Sequence, residues 1–232
     1  YRMQGTMYLE RQHIMNSADF GVAVQGNLGG EVNKKYQETV NNHFTGKYGT
    51  YAIGVYNGSG YHDLEQNANK VFQGRLTLRP LPEFIPGLQF SYFGLIGKGS
   101  VNTDFNKSPD WQTNLLFASF ESEYLTLTAQ TMFGKGDKLG ELVDEEGNPY
   151  DYSGYSFFAE CKILKNWKLF TRFDNFDPSI DADNNMENRV IIGAGYDFGN
   201  RNILIIDYDH KFYNSDEIDD EKFLKLTMQI HI

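Results

Sequence analysis

Cysteine is almost absent. Cys161 stands alone among 232 residues, so no intrachain disulfide can form and a cysteine-based zinc site is excluded. No stretch approaches the roughly 18 consecutive apolar residues that a membrane helix needs, and mean hydropathy is −0.51. Basic residues are few, 21 against 31 acidic, and a formal net charge of −10 argues against a nucleic-acid partner, whose phosphates need clustered Lys and Arg. The five histidines (His13, His43, His62, His210 and His231) are scattered without metal-ligand spacing. Neither G-x-S-x-G nor a Cys/His pairing marks a nucleophile, so no catalytic residue, metal site or cofactor is expected. The chain opens on Tyr1 with neither an initiator Met nor a signal-like stretch. It reads as a processed chain or one whose N-terminal part is missing.

What is abundant is glycine, with 23 residues, and aromatics, with 18 Phe and 15 Tyr. They sit in segments that alternate with period two, which a helical face of about 3.6 residues cannot use. In "FLKLTMQIHI", Leu224, Leu226, Met228, Ile230 and Ile232 oppose Phe223, Lys225, Thr227, Gln229 and His231. In "NWKLFTRFD", Trp167, Leu169, Thr171 and Phe173 oppose Lys168, Phe170, Arg172 and Asp174. About eleven such strands are expected: 18–27, 46–57, 70–80, 87–97, 110–120, 123–133, 153–163, 166–176, 188–198, 201–213 and 222–232. From Gly54 onward tight turns alternate with long polar loops, the asymmetry of outer-membrane barrels with short periplasmic turns and long outer loops. The stretch "GGEVNKKYQETVNNHFTGK" breaks this rule, being long where a short turn belongs.

One strand face is aliphatic and aromatic, with Tyr51, Tyr124, Tyr155, Tyr196, Phe198 and Phe212 near strand ends, as interfacial girdles would require. The other carries Arg75, Arg79, Glu160, Lys168, Arg172, Asp207, Asp209 and Lys225. A dry core could not bury so many ions, whereas a water-filled lumen holds them readily. The pattern therefore favours an all-β, antiparallel transmembrane barrel over a soluble barrel binding an apolar ligand.

"VIIGAGYDFGNRNILIIDYDH" imitates a dinucleotide-binding turn, yet no helix has room after its glycines. Gly199-Asn200 instead reads as a hairpin turn, and Gly193 and Gly195 as inward positions that leave space. "DADNNMEN" (181–188) lacks the turn glycine and final Glu of a calcium loop and reads as a solvated loop.

"MYLERQ", "ADFGVAVQG", "YAIGVYNGSG", "NKVFQGRLTLRPLP" and "LFTRFDNFDP", with the final strand, resemble the phosphate-selective porin O/P-like family of outer-membrane porins. Their order and spacing carry the resemblance across nearly the whole chain, with departures at Ala18 and at the closing Ile232. It implies a barrel of about sixteen strands, homotrimeric, seated in outer-membrane lipid and passing small hydrophilic solutes or anions. Residues 1–17 would end an inward-folded constriction loop, and 18–232 would supply the C-terminal two-thirds of the barrel. The alternatives are residues 3–11 as a further strand closing a small barrel, and a plugged, structural or accessory barrel subunit.

Arg75 and Arg79 share a face, as do Lys168 and Arg172, and with Lys225 they form a candidate anion track. The competing expectation is charge pairing across the wall, for example Arg172 with Asp174. Under the resemblance, Glu10 and Arg11 sit at the constriction, where opposed charges set a transverse field. Otherwise they are a loop ion pair.

Overall fold

The structure is a computed structural model and describes residues 7–60, 67–100, 108–164, 166–182, 185–200, 202–215 and 218–231. Eleven strands form one antiparallel sheet in which each pairs with its neighbours in sequence. They are β1 Gly21–Leu28, β2 Gly49–Tyr56, β3 Val71–Leu78, β4 Gln89–Lys98, β5 Asp110–Glu121 and β6 Leu125–Lys135. The rest are β7 Asp151–Lys162, β8 Trp167–Asp177, β9 Glu187–Gly199, β10 Asn202–Tyr213 and β11 Glu221–Gln229. Two short helices interrupt the series, α1 Tyr8–Arg11 ahead of β1 and α2 Lys34–Thr39 between β1 and β2. Residues 7–11 are thus not the further strand that one alternative required. Among the described residues the sheet is open, with β1 and β11 each paired on one side only, so the eleven strands do not close on themselves as the small-barrel alternative required.

Local chemistry explains where strands stop. All six prolines (Pro80, Pro82, Pro86, Pro109, Pro149 and Pro178) lie outside strands, because proline cannot donate to a ladder. The β9–β10 hairpin turns on Gly199 and Asn200, at φ 86° and 52°. Two successive positive-φ residues match the right-handed twist of the flanking strands, which the Gly-Asn pair tolerates.

The register sorts side chains into two faces, because alternate residues point oppositely along every strand. Gln25 pairs with Ala52, Ala52 with Arg75, Arg75 with Phe93, and so on through Leu115, Met132, Gly154 and Phe176. These positions share one face with Arg172, Asp174, Asp209 and Lys225, called here the polar face. The opposite, apolar face bears Val22, Val24, Ile53, Phe72, Leu76, Phe90, Ile96, Leu116, Phe157, Leu169, Ile192, Ile206, Leu224 and Leu226, all exposed. Val22 and Leu226 are 79% and 71% exposed, which reverses the usual arrangement of a soluble sheet.

The polar face also has apolar contacts. Phe158, Phe170, Ile191 and Ile205 pack together. Gly193 therefore leaves no open space, contrary to expectation: a β-carbon there would lie 2.4 Å from Cζ of Phe170. The glycine exists to admit the Phe170 ring.

Candidate functional site

Two segments fold over the polar face, one from each end of the strands. The first, residues 7–16, approaches from the end with the long loops. Tyr8, Leu9 and Ile14 are buried with Leu115, Met132, Tyr152 and Phe176 of β5 to β8. The Tyr8 hydroxyl donates to the carbonyl of Asn175, and burial pushes its pKa well above the ordinary tyrosine value, which keeps the proton in place. Helix α1 is one turn without a side-chain cap, too short to hold itself, so its docking fixes it. Further along, the Ile14 carbonyl accepts from the Lys138 backbone at 3.2 Å. Asn16 receives the Lys138 ammonium and donates to the Ser59 carbonyl, linking two long loops.

This docking depends on Gly154. A β-carbon at that position would lie 2.1 Å from the Tyr8 hydroxyl and 2.5 Å from the Asn175 carbonyl. Gly154→Ala is expected to lift 7–16 off the sheet and to displace β8 locally at Asn175. Trypsin cleavage after Arg11 should accelerate about tenfold, as a docking loss of roughly 1.4 kcal/mol implies. An unchanged rate would mean that Tyr8 does not hold the segment down.

Docking delivers Arg11 to a charged cluster. Its guanidinium lies 3.1 Å from Asp174, and both side chains are buried. Arg172, in the same strand, donates its Nε to the other Asp174 oxygen at 2.7 Å. Burial, then repulsion from Arg172, pulls the Arg11 pKa down to about 10, still leaving it charged at neutral pH. Beside them, Arg189 grips Asp209 through two bonds of 2.6 and 2.5 Å, and Lys225 reaches the same carboxylate from β11. Charge-assisted bidentate pairs of this kind are the geometrically rigid ones.

The second segment, 29–48, comes from the end with the short turns and bears α2, capped where the Asn33 side chain accepts from Tyr36 N–H at 2.8 Å. It covers Arg75 and Arg79. The Arg75 guanidinium sits 4.5 Å from the Phe44 ring centre, and that of Arg79 sits 5.3 Å from Tyr36. Among the described residues, neither arginine has a carboxylate within ion-pair distance. Arg75 Nε and Arg79 Nε and Nη1 are buried without a hydrogen-bond partner.

The candidate residues therefore separate into two groups. Arg172 and Lys225 are ion-paired with Asp174 and Asp209, carboxylates that they share with Arg11 and Arg189, and Lys168 faces Asp197 at 4.0 Å. Arg75 and Arg79, among the described residues, have no carboxylate partner at all. Glu10 and Arg11 do not pair with each other: Glu10 accepts from Ser17 at 2.8 Å, while Arg11 turns to Asp174. Of the acidic stretch 181–188, residues 183 and 184 lie outside the described residues. Within that stretch, Asn188 accepts from Asn175 at 2.9 Å.

Sequence reasoning missed Arg189, although its alternation with Ile191 and Gly193 marks it as polar-face. It also missed Tyr8, Tyr36 and Phe44, which lie outside any periodic segment. No protein-family model matches the chain, and no curated protein matches it.

Proposed function

We propose that this chain forms the wall of an outer-membrane porin, a water-filled channel for passive diffusion of small hydrophilic solutes with a preference for anions. The observation that carries the reading is the partition of the sheet: large apolar side chains stand exposed along one face while ion pairs crowd the other. A lipid-facing wall around a wet lumen has this distribution, and closing the sheet with further strands would remove its bare edges. On the apolar face, Trp167, Tyr196 and Phe198 stack edge to face beside the short turns, a fitting place for an aromatic girdle. The short turns would be periplasmic and the long loops external.

The channel needs no bond chemistry. Residues 7–16 narrow it from the outer side and bring Arg11 to the charged cluster, while Arg75 and Arg79 supply positive potential. Purified protein in planar bilayers is expected to give discrete conductance steps. The reversal potential in a KCl gradient should be anion-preferring and should move toward zero in Arg75→Ala/Arg79→Ala. Absence of steps in a properly folded sample would overturn the reading of a constitutively open channel. It would favour a plugged accessory barrel, a reading supported by the two segments that cover the polar face.

A further inference from the structure

We propose that residues 29–48 form a lid on the periplasmic side that controls anion access to Arg75 and Arg79, with Phe44 as the residue that sets it. The inference rests on the channel reading above. The other connections at the same end include 122–124, 163–166 and 200–201, so a turn needs no such length. The segment is built, not slack. Its stem pairs Glu31 with Gly46, and Val32 N–H donates to the Thr45 carbonyl at 2.8 Å. Val32 and Tyr36 are buried. Beyond the stem it reaches past β3 and β4, where the Asn41 amide donates to the Glu121 carboxylate of β5 at 2.8 Å. That reach lays it across the polar face.

Phe44 is the centre of the contact. Its ring covers Arg75, and its carbonyl accepts from Arg79 Nη2 at 3.3 Å. Its φ is 55°, a left-handed conformation that is unfavourable for a bulky side chain and that recurs where a local geometry is functionally required. Among the described residues, both guanidinium groups are met by aromatic faces and one long hydrogen bond, with no carboxylate. Aromatic faces attract cations without satisfying their N–H donors. Buried guanidinium nitrogens without acceptors are what an arriving anion would satisfy, and it would compete directly with Phe44 for Arg75. The lid thus holds the two arginines charged, desolvated and available.

The test compares wild type with Phe44→Gly, which removes the ring and relieves the positive φ, and with Tyr36→Ala. In planar bilayers in KCl, Phe44→Gly is expected to raise unit conductance about twofold, since a constriction dominates pore resistance. It should also shift the reversal potential further toward anions, a shift that Arg75→Ala cancels. A silent wild type with a conducting Phe44→Gly would equally support the lid. A conducting wild type with unchanged conductance and reversal potential in both variants would overturn it. If all forms are silent, the channel reading fails. The lid is then judged separately by phenylglyoxal labelling of Arg75 and Arg79 in folded, detergent-solubilised protein, read by mass spectrometry. Faster labelling in Phe44→Gly supports the lid, and equal rates overturn it.

Discussion

Asp174→Ala is expected to destabilise the protein by about 3–5 kcal/mol, the range for removing one partner from a buried ion cluster. Asp174 is 1% exposed and accepts from two guanidinium groups, Arg11 and Arg172, whose side chains are themselves buried. Without the carboxylate the two cations face each other across a space that excludes most water. They can relieve the repulsion only by undocking α1 or by distorting β8. The loss should therefore appear both as a lower urea midpoint and as release of residues 7–16 to trypsin. Replacing all three partners by apolar residues (Arg11→Met, Arg172→Met and Asp174→Leu) should recover most of the stability, because the penalty lies in uncompensated charge rather than in absent attraction. Urea titration of the folded protein in lipid vesicles reads both variants. A loss below about 1 kcal/mol for Asp174→Ala would place the cluster in bulk-like water, where exposed pairs contribute that little.

Ile206→Lys carries the second large effect. Ile206 lies on the apolar face of β10 between Ala194 and Leu226 and is 48% exposed. On a soluble protein a lysine at so open a position would be nearly neutral. In a lipid-facing wall it should lower stability by about 2–4 kcal/mol at mid-depth. Gln130→Lys provides the internal control. Gln130 is on the polar face, opposite Phe117 and Ser156, and water would solvate a lysine there. The two substitutions add the same charge and differ only in the face that receives it. Equal effects in lipid vesicles would remove the distinction between the faces on which the channel reading stands.

The strands were legible because alternation is a local property. Expected spans such as 110–120 and 201–213 meet observed strands Asp110–Glu121 and Asn202–Tyr213 within a residue or two. The Gly199-Asn200 turn was legible for the same reason, since its chemistry is contained in two residues. Face assignment followed from the period, so Arg75, Arg172, Asp209 and Lys225 emerge on one side. Partner choice is another matter. Arg11 and Asp174 are separated by 163 residues, and no periodic signal links them. Helices α1 and α2 are too short to impose a helical pattern and exist through tertiary contacts: Tyr8 beneath β5 to β8, and Tyr36 against Arg79. The length of 29–48 looked anomalous in sequence because its purpose lies in what it covers. Gly193 misled for a related reason, since the residue that fills its space, Phe170, belongs to another strand.

Two tryptophans allow the central claim to be tested with little perturbation. Trp167 stands 47% exposed on the apolar face near the short turns, while Trp111 is buried at 1% on the polar face. Protein folded into vesicles containing lipid brominated high in its acyl chains separates the two by fluorescence. A lipid-facing apolar wall predicts strong quenching of the wild type, lost in Trp167→Phe, whose remaining Trp111 emission should match that in unbrominated lipid. Quenching of Trp111 with none of Trp167, or emission from Trp167 indifferent to bromine, would contradict the account.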